Sequence, residues 1–268
     1  MPENNDKIKD DVRNYWDNQA CGTWVTDKEK FTREYFEEIE EDRYALQPEI
    51  FSFAEFTRHH GQKLLEVGVG AGTDFLQWVR AGTKAHGLDL TREAVEHVRY
   101  RLSLYGLEAE DIRVGDSESL PYEDNSFDVV YSWGVIHHTP DTERAMREIV
   151  RVLRPGGTAK IMIYHRRSIL AYLFWVRHAL LKFRPWKSLK WVLWNHMESI
   201  GTKAYTCGEV REMLRNEPVE GLRIRPVLSY YDKLGRFNAL MRGTAKLLAV
   251  LLGGDRAGWF MTIQFTKK

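Results

Sequence analysis

Three alternating glycines, Gly68, Gly70 and Gly72, join a short apolar segment to a segment with helical periodicity. Residues 63–68 predict a buried strand that ends at the first glycine, and residues 73–81 predict the helix that follows. Glycines at such a turn leave backbone N–H groups exposed and allow a ligand to approach the chain closely. This feature therefore predicts a β–α unit that holds a ligand at its turn.

The alternation of strands and helices continues beyond this unit. Further strands are predicted at 85–89, 112–116, 127–132 and 158–164, and helices at 91–105 and 141–153. This alternation favours a parallel, right-handed, doubly wound sheet. Ligands bind at the carboxyl ends of the strands in such a sheet, which is where the glycine turn lies.

The sequence divides into four predicted segments. Residues 1–60 are rich in charged and aromatic side chains and predict an N-terminal helical cap, while residues 61–165 form the core. Residues 166–205 are too long for a simple loop and predict a helical insertion that acts as a lid. Residues 206–268 complete the core sheet.

The last segment begins with a helix signal. Thr206 and Glu209 have the spacing of a capping box, in which each side chain satisfies a backbone donor near the other. Beyond that helix we predict a strand at 222–229, a helix at 237–252 and a final strand at 259–265.

Acidic side chains stand at the ends of the first three predicted strands. Glu66 precedes the glycine turn, where a carboxylate suits a ligand with an ammonium group better than a pyrophosphate. Asp89 follows the turn by about 20 residues and can accept hydrogen bonds from ribose hydroxyls. Asp116, with Ser117 beside it, can accept one from an adenine amino group. Each alone is also typical of a solvated strand end or helix cap, but together they favour a nucleoside-containing cofactor.

A dinucleotide-binding turn is the main alternative for the glycine pattern. Such sites need a small residue at the sixth position, where the helix packs around a pyrophosphate. Counted from Gly68, that position is Thr73. The spacing therefore disfavours a dehydrogenase.

The sequence resembles the class I S-adenosylmethionine-dependent methyltransferases, in the small-molecule group typified by ubiquinone/menaquinone methyltransferases (methyltransferase domain 11). The matching motifs cover about 100 residues in the correct order: Leu65-Glu-Val-Gly-Val-Gly-Ala-Gly72, Gly87-Leu-Asp-Leu90, Gly115-Asp-Ser-Glu-Ser-Leu-Pro121, Asn125-Ser-Phe-Asp128, Gly134-Val-Ile-His-His138 and Arg151-Val-Leu-Arg-Pro-Gly-Gly157. As a set these motifs are specific for fold and cofactor, and much less so for the substrate.

The resemblance implies a seven-stranded Rossmann-like sheet whose last strand runs antiparallel between the fifth and the sixth. It implies S-adenosylmethionine as cofactor and S-adenosylhomocysteine as product. The cofactor-binding residues that it implies are Tyr15, Glu66, Gly68, Gly70, Gly72, Thr73, Asp89, Leu90, Asp116, Ser117, Ser132 and Trp133. Within this set, Tyr15 and its neighbour Trp16 resemble an aromatic pair that closes over the cofactor.

His137 and His138 follow the fourth predicted strand and are candidate catalytic residues, since histidine is the usual base near neutral pH. The alternative is that the pair orients the loop after this strand. Methyl transfer from a sulfonium needs mainly the alignment of acceptor, methyl carbon and sulfur. Both interpretations stay open.

The insertion indicates the kind of substrate. Between Arg166 and Met197 it has no acidic residue, and it contains the basic and indole side chains Arg166, Arg167, Arg177, Lys182, Arg184, Lys187, Lys190, Trp175, Trp186, Trp191 and Trp194. Basic residues among indoles are typical of a helix at an anionic membrane surface, but also of a lid whose charged groups reach water. Both interpretations favour an apolar or aromatic acceptor. Candidate substrate contacts are Tyr44, Tyr164, His165, Tyr205 and Tyr230.

Composition excludes several classes of function. With 39 basic and 38 acidic residues, the chain has no overall field to attract nucleic acid, and it lacks the motifs of nucleic-acid methylation. Its two cysteines, Cys21 and Cys207, are isolated, and no spacing suggests a metal site. The polar N-terminus predicts no signal peptide, so a cytoplasmic location is expected, with peripheral membrane contact left open. Oligomeric state is not indicated.

The leading hypothesis is a methyltransferase acting on an O, N or C atom of a hydrophobic or aromatic small molecule. A second is a non-catalytic scaffold that docks on membranes or partners through residues 166–197. A third is a cyclase or isomerase that uses the same cofactor site without methyl transfer.

Overall fold

A seven-stranded sheet forms the centre of the computed structural model, which describes residues 2–18, 22–199, 201–233, 243, 250 and 253–268. The strands are β1 Lys63–Val67, β2 Lys84–Asp89, β3 Asp111–Val114, β4 Phe127–Trp133, β5 Leu153–Tyr164, β6 Val219–Val227 and β7 Phe260–Lys267. The helix predicted at 237–252 and the residue Cys21 lie outside the described residues, apart from positions 243 and 250.

The strand order is β3-β2-β1-β4-β5-β7-β6. The first five strands are mutually parallel, while β7 runs antiparallel to both of its neighbours, β5 and β6. The predicted doubly wound sheet, with its last strand antiparallel and inserted between the fifth and sixth, is therefore confirmed.

Several strand boundaries differ from the prediction by a few residues, among them those of β3, β5 and β6. β3 ends at Val114, so Asp116 lies in the following turn, where its carboxylate accepts the Glu118 N–H at 2.8 Å. β5 begins at Leu153, directly after the preceding helix, and a register shift between Phe127 and Val129 accommodates the extra residues. Asp116 is thus placed by a side-chain-capped turn and not by the strand itself.

Helices cover both faces of the sheet. Their bounds are α1 Pro2–Asn18, α2 Arg33–Leu46, α3 Glu49–Ala54, α4 Thr73–Arg80, α5 Arg92–Leu104, α6 Thr142–Val152, α7 Ile169–His178, α8 Leu189–His196 and α9 Cys207–Met213. The predicted capping box of Thr206 and Glu209 is present at α9. None of the helices within the described ranges is long and apolar enough to cross a membrane.

Alternation along the strands separates two apolar layers. Leu64 belongs to the layer that includes α4, α5 and the insertion, and its neighbour Leu65 to the layer that includes α6 and α9. The insertion joins the first layer through Ala171 and Leu193, which are buried. It is therefore a packed part of the fold.

Arg101 of α5 ties the cap to the glycine turn. Its guanidinium is fully buried and donates to the Ala71 carbonyl at 3.1 Å and to Thr73 Oγ1 at 2.8 Å. It also donates to the Phe36 carbonyl at 3.1 Å and to Glu40 at 2.7 Å. One buried cation thus holds α2 and the turn after β1 together.

We predict that Arg101→Met lowers the free energy of unfolding by about 2–4 kcal/mol, because it leaves buried acceptors without a donor. Arg99→Met is the matched control on the same helix: Arg99 is exposed, and its bond to the Ile112 carbonyl lies at the surface, so its loss changes stability by about 0.5 kcal/mol or less. Urea unfolding followed by circular dichroism measures both. Equal losses in the two variants would contradict the assigned role of Arg101.

Candidate active site

A cavity of about 490 Å³ lies at the carboxyl ends of the parallel strands, a volume typical of small-molecule sites. One part of its lining, the loop wall, comes from the turns after β1, β2 and β3 and includes Gly68, Gly70, Asp89 and Asp116. The other part, the insertion wall, is formed by Trp133, Tyr164, Leu170, Phe174, Met197 and Glu198. The cavity thus joins a loop wall that contains carboxylates to an insertion wall that is largely apolar.

The glycine turn is possible only with glycine at its first position. Gly68 has φ +84°, and a Cβ there would lie 2.2 Å from Val135 Cγ2. Its N–H donates to the Leu88 carbonyl at 2.7 Å, which ties the turn to β2. Gly72, with φ +76°, is the N-cap of α4, and its N–H donates to the Val69 carbonyl at 2.9 Å. The turn is therefore fixed before any ligand arrives.

Asp89 closes the turn from β2. Its Oδ2 accepts the Gly70 N–H at 3.1 Å, while Oδ1 accepts the Thr91 N–H at 3.0 Å and the Thr91 hydroxyl at 2.9 Å. Burial raises the pKa of Asp89, and these hydrogen bonds oppose that rise. A carboxylate has about four acceptor positions, so Asp89 can still accept a ligand hydroxyl.

The N-terminal helix forms a roof over the loop wall. Lys9 Nζ lies 2.7 Å from Asp116 Oδ2 and 2.7 Å from Glu118 Oε2. One and two turns further along α1, Val12 and Trp16 line the cavity. Of the predicted aromatic pair, it is therefore Trp16 that lines the site. Tyr15 lies outside the lining and is 44% exposed.

Glu66 carries a buried oxygen without a partner. Its side chain is buried and lines the cavity, and among the described residues nothing donates a hydrogen bond to Oε2. Burial, followed by repulsion from Asp74, raises the pKa of Glu66 well above its usual range. An ammonium group bound here would satisfy this carboxylate. With the acceptor Asp89 and the Gly68 and Gly70 backbone in its lining, the loop wall fits the cofactor that the resemblance implies.

Arg43 is a cavity residue that the sequence reasoning missed. It lies on α2 and pairs with Asp74 of α4, with Nε 2.9 Å from Oδ1. Tyr131 donates to the same carboxylate at 2.9 Å, and Tyr44 donates to it at 3.2 Å. Tyr44, a predicted substrate contact, is therefore placed in a network beneath the glycine turn, outside the cavity lining.

The insertion wall contains a polar group among apolar side chains. Tyr164 donates its hydroxyl to the Glu198 carboxylate, at 3.1 Å from Oε2. His138 Nε2 faces the same carboxylate, 3.6 Å from Oε2. Burial raises the pKa of Glu198. Its side chain is still 41% exposed, because it lines the cavity.

The surroundings of His138 favour one tautomer of its ring. Nδ1 lies 2.9 Å from Ser199 Oγ and 3.1 Å from Thr202 Oγ1. The Thr202 hydroxyl already donates to the Ser199 carbonyl at 2.7 Å, so it can only accept from Nδ1–H. On this ground we assign the proton to Nδ1, which leaves the Nε2 lone pair facing Glu198. Burial lowers the pKa of His138 to about 3, so the ring is neutral at pH 7.

The structure brings most of the predicted site residues to the cavity. Those in its lining are Glu66, Gly68, Gly70, Thr73, Asp89, Leu90, Asp116, Ser117, Trp133, His138 and Tyr164. Gly72 and Ser132 lie behind the lining, where the Ser132 hydroxyl donates to the Val67 carbonyl at 3.0 Å and joins β4 to β1.

Four further predicted residues lie away from the lining. His137 is buried behind His138, with its ring centroid 4.0 Å from that of Tyr164. His165 Nδ1 bonds to the Gly258 carbonyl at 3.0 Å, and the Tyr205 N–H donates to the Tyr164 carbonyl at 2.9 Å. Tyr230 packs edge-on against Tyr231, and it is Tyr231 that lines the cavity. Their predicted roles stay predictions.

Glu198 was also missed from the sequence, although a signal existed: it is the first acidic residue after the acid-free run 166–197.

In the part of the chain that the structure describes, no group of three His, Cys, Asp or Glu side chains is arranged to hold a metal ion.

We predict that Glu66→Gln has opposite effects on stability and on binding. Because the folded-state pKa of Glu66 is raised, the cofactor-free wild type loses stability as pH rises through that pKa, and the variant does not. At a pH above that pKa the variant is more stable than the wild type by about 1 kcal/mol, while its affinity for S-adenosylmethionine falls about tenfold, since an amide cannot neutralise an ammonium. Thermal unfolding and calorimetric titration measure these effects.

The matched control is Glu148→Gln. The Glu148 carboxylate accepts the Leu120 N–H at 2.7 Å and pairs with Arg151, so this variant loses stability and keeps its affinity. Unchanged cofactor affinity in Glu66→Gln would contradict the ammonium site.

Comparison with known proteins agrees with this geometry. Residues 65–161 match the family model described as "Methyltransferase domain". Phthiotriol/phenolphthiotriol dimycocerosates methyltransferase 1 of Mycobacterium ulcerans is 42% identical over 99 residues, which cover 36% of this chain and 35% of the relative. 2-Methyl-6-phytyl-1,4-hydroquinone methyltransferase 1, chloroplastic, of Oryza sativa subsp. japonica is 38% identical over 103 residues, covering 38% and 30%. The chain thus spans about a third of the length of these curated relatives.

A solved structure shares the fold over most of the chain. Phosphoethanolamine N-methyltransferase 2 of Haemonchus contortus, in complex with phosphomonomethylethanolamine and S-adenosylhomocysteine, superposes with a TM-score of 0.60 and 17% identity, covering 95% of this chain and 59% of that one. The sheet order, the loop wall and the family match lead to one assignment. Residues 65–161 form a methyltransferase domain of the class I S-adenosylmethionine-dependent family.

Proposed function

We propose that this protein transfers the methyl group of S-adenosylmethionine to an oxygen or nitrogen atom that carries a dissociable hydrogen, on an apolar or aromatic small molecule. The observation that carries the proposal is the Glu198 carboxylate facing the His138 Nε2 lone pair at 3.6 Å. In the assigned tautomer both groups accept hydrogen bonds, so an O–H or N–H group bound beside them can donate its hydrogen to either one. A carbon acceptor offers no such donor.

Glu198 is the stronger base of the pair. Burial lowers the pKa of His138 to about 3, whereas it raises that of Glu198 above the usual carboxylate value. A general base is most effective when its pKa approaches the working pH. Glu198 therefore takes the acceptor's proton, and His138 Nε2 orients the O–H or N–H bond.

The bound cofactor supplies an electrophilic methyl group and leaves as S-adenosylhomocysteine. As the acceptor's O–H or N–H bond breaks, its proton moves to Glu198 and its electron pair becomes available to the methyl carbon. Tyr164 donates to Glu198 and so holds the carboxylate in place. The Lys9 ion pairs hold Trp16 over the site, which excludes water.

The rest of the insertion wall favours an apolar acceptor. Trp133, Phe174 and Met197 line it, together with Trp259 and Phe260 from the start of the last strand. The names of two relatives support the same class of substrate, since one contains a phenolphthiotriol and the other a phytyl-substituted hydroquinone.

The proposal is tested by incubating the protein with S-adenosylmethionine and a panel of phenols, hydroquinones, amines and long-chain alcohols. We expect formation of S-adenosylhomocysteine with at least one hydrophobic member, and none with Asp89→Ala. Mass spectrometry and NMR then locate the new methyl group. Methylation at carbon, or no turnover across the panel, would contradict the proposal.

We predict that Glu198→Gln lowers kcat by about 100-fold or more and leaves cofactor affinity unchanged. The wild-type rate falls as pH drops through the raised pKa of Glu198, because the protonated carboxyl cannot accept a proton, and this acidic limb disappears in the variant. Tyr164→Phe is the matched variant: its hydroxyl lowers the pKa of Glu198, so its removal moves the limb to higher pH. A pH–rate profile of Glu198→Gln identical to that of wild type would rule out Glu198 as the base.

A further inference from the structure

The connection between α7 and α8 exposes large apolar side chains. We call residues 180–187 the tip. Within it, Phe183 is 87% exposed, Trp186 74%, Leu181 67% and Leu180 45%. Large side chains clustered in this way at the surface mark an interaction site, whereas single exposed apolar residues do not.

The tip is held in this exposed form by its own hydrogen bonds. The Arg184 N–H donates to the Ala179 carbonyl at 2.8 Å, and the Lys187 N–H donates to the Arg184 carbonyl at 3.0 Å. Trp175 of α7 donates its indole N–H to the Lys187 carbonyl at 2.6 Å. Phe183 has φ +54°, an uncommon conformation for a residue with a Cβ. The backbone thus presents the apolar side chains outward.

The charge of the tip is entirely positive. Lys182, Arg184 and Lys187 lie within it, Arg177 and Lys190 flank it, and no acidic residue occurs between 166 and 197. Aromatic and aliphatic side chains surrounded by Lys and Arg fit the boundary of an anionic lipid bilayer, where the rings enter the acyl region and the cations meet phosphate groups. A partner protein would have to be both acidic and apolar over the same patch.

We propose that the tip docks on an anionic membrane surface, with Leu181, Phe183 and Trp186 entering the lipid and Lys182 and Arg184 contacting headgroups. We infer a membrane because the positive charge of the tip complements anionic headgroups and its exposed apolar side chains fit the acyl region.

The same hairpin also reaches the cavity. Leu170 and Phe174 of α7 line the cavity, and beyond Phe174 the helix continues for about 6 Å to His178, just before the tip. On the far side, Met197 and Glu198 follow α8 and line the cavity again. If the proposed function holds, docking brings a membrane-dissolved acceptor close to the insertion wall. Docking itself does not rest on methyl transfer.

Co-sedimentation of the full chain with vesicles tests the proposal without turnover. We expect binding to vesicles of phosphatidylcholine and phosphatidylglycerol at low salt, weaker binding at high salt, and little binding to phosphatidylcholine alone. Phe183→Ala/Trp186→Ala should weaken binding about tenfold or more. Lys182→Gln/Arg184→Gln should weaken it roughly fivefold for each charge removed.

Tyr100→Ala is the matched control, since Tyr100 is an aromatic residue 50% exposed on α5, and it should bind vesicles like wild type. Circular dichroism confirms that each variant folds. Equal vesicle binding by wild type and Phe183→Ala/Trp186→Ala, or no binding of wild type to anionic vesicles, would overturn the proposal. A wild-type dimer that this double substitution dissociates, without vesicle binding, would assign the tip to a second copy instead. Methyl transfer from a soluble acceptor would be unaffected in every case.

Discussion

The hydrogen bonds that close the glycine turn are the constraint on which the site depends. Asp89 of β2 accepts the Gly70 N–H, and Arg101 of α5 holds the Ala71 carbonyl, so neighbouring residues of the turn are fixed from two elements. Both hydrogen bonds are buried or partly buried, and the loss of such a bond destabilises the fold because a buried polar group is left without a partner. The turn is therefore preorganised, and the binding groups of the loop wall need no rearrangement.

Two additions to the sheet complete the site from opposite directions. The N-terminal helix is pinned by Lys9 to the carboxylates after β3 and brings Trp16 to the cavity. The insertion packs on the core through Ala171 and Leu193 and brings Glu198 to the other side. Both additions lie outside residues 65–161, so the family match covers the loop wall and, of the insertion wall, only Trp133.

The sequence predicted the sheet and most of the loop wall because these depend on local patterns. Gly68 needs φ > 0, and an acidic side chain at the end of β2 is expected about 20 residues beyond such a turn. It did not predict Glu198 or Arg43, whose places depend on how distant elements pack. The choice of Trp16 over Tyr15 has the same origin: on a helix, one residue's difference rotates a side chain by about 100°, and the Lys9 ion pairs set that rotation.

A crystal structure of the protein with S-adenosylhomocysteine would show directly how the loop wall and the insertion wall divide the site between cofactor and acceptor. We expect the product's ammonium within hydrogen-bond distance of Glu66, a ribose hydroxyl on Asp89, and the sulfur directed toward Glu198 and His138. A nucleoside bound away from Asp89, or a sulfur directed away from the insertion wall, would contradict this assignment.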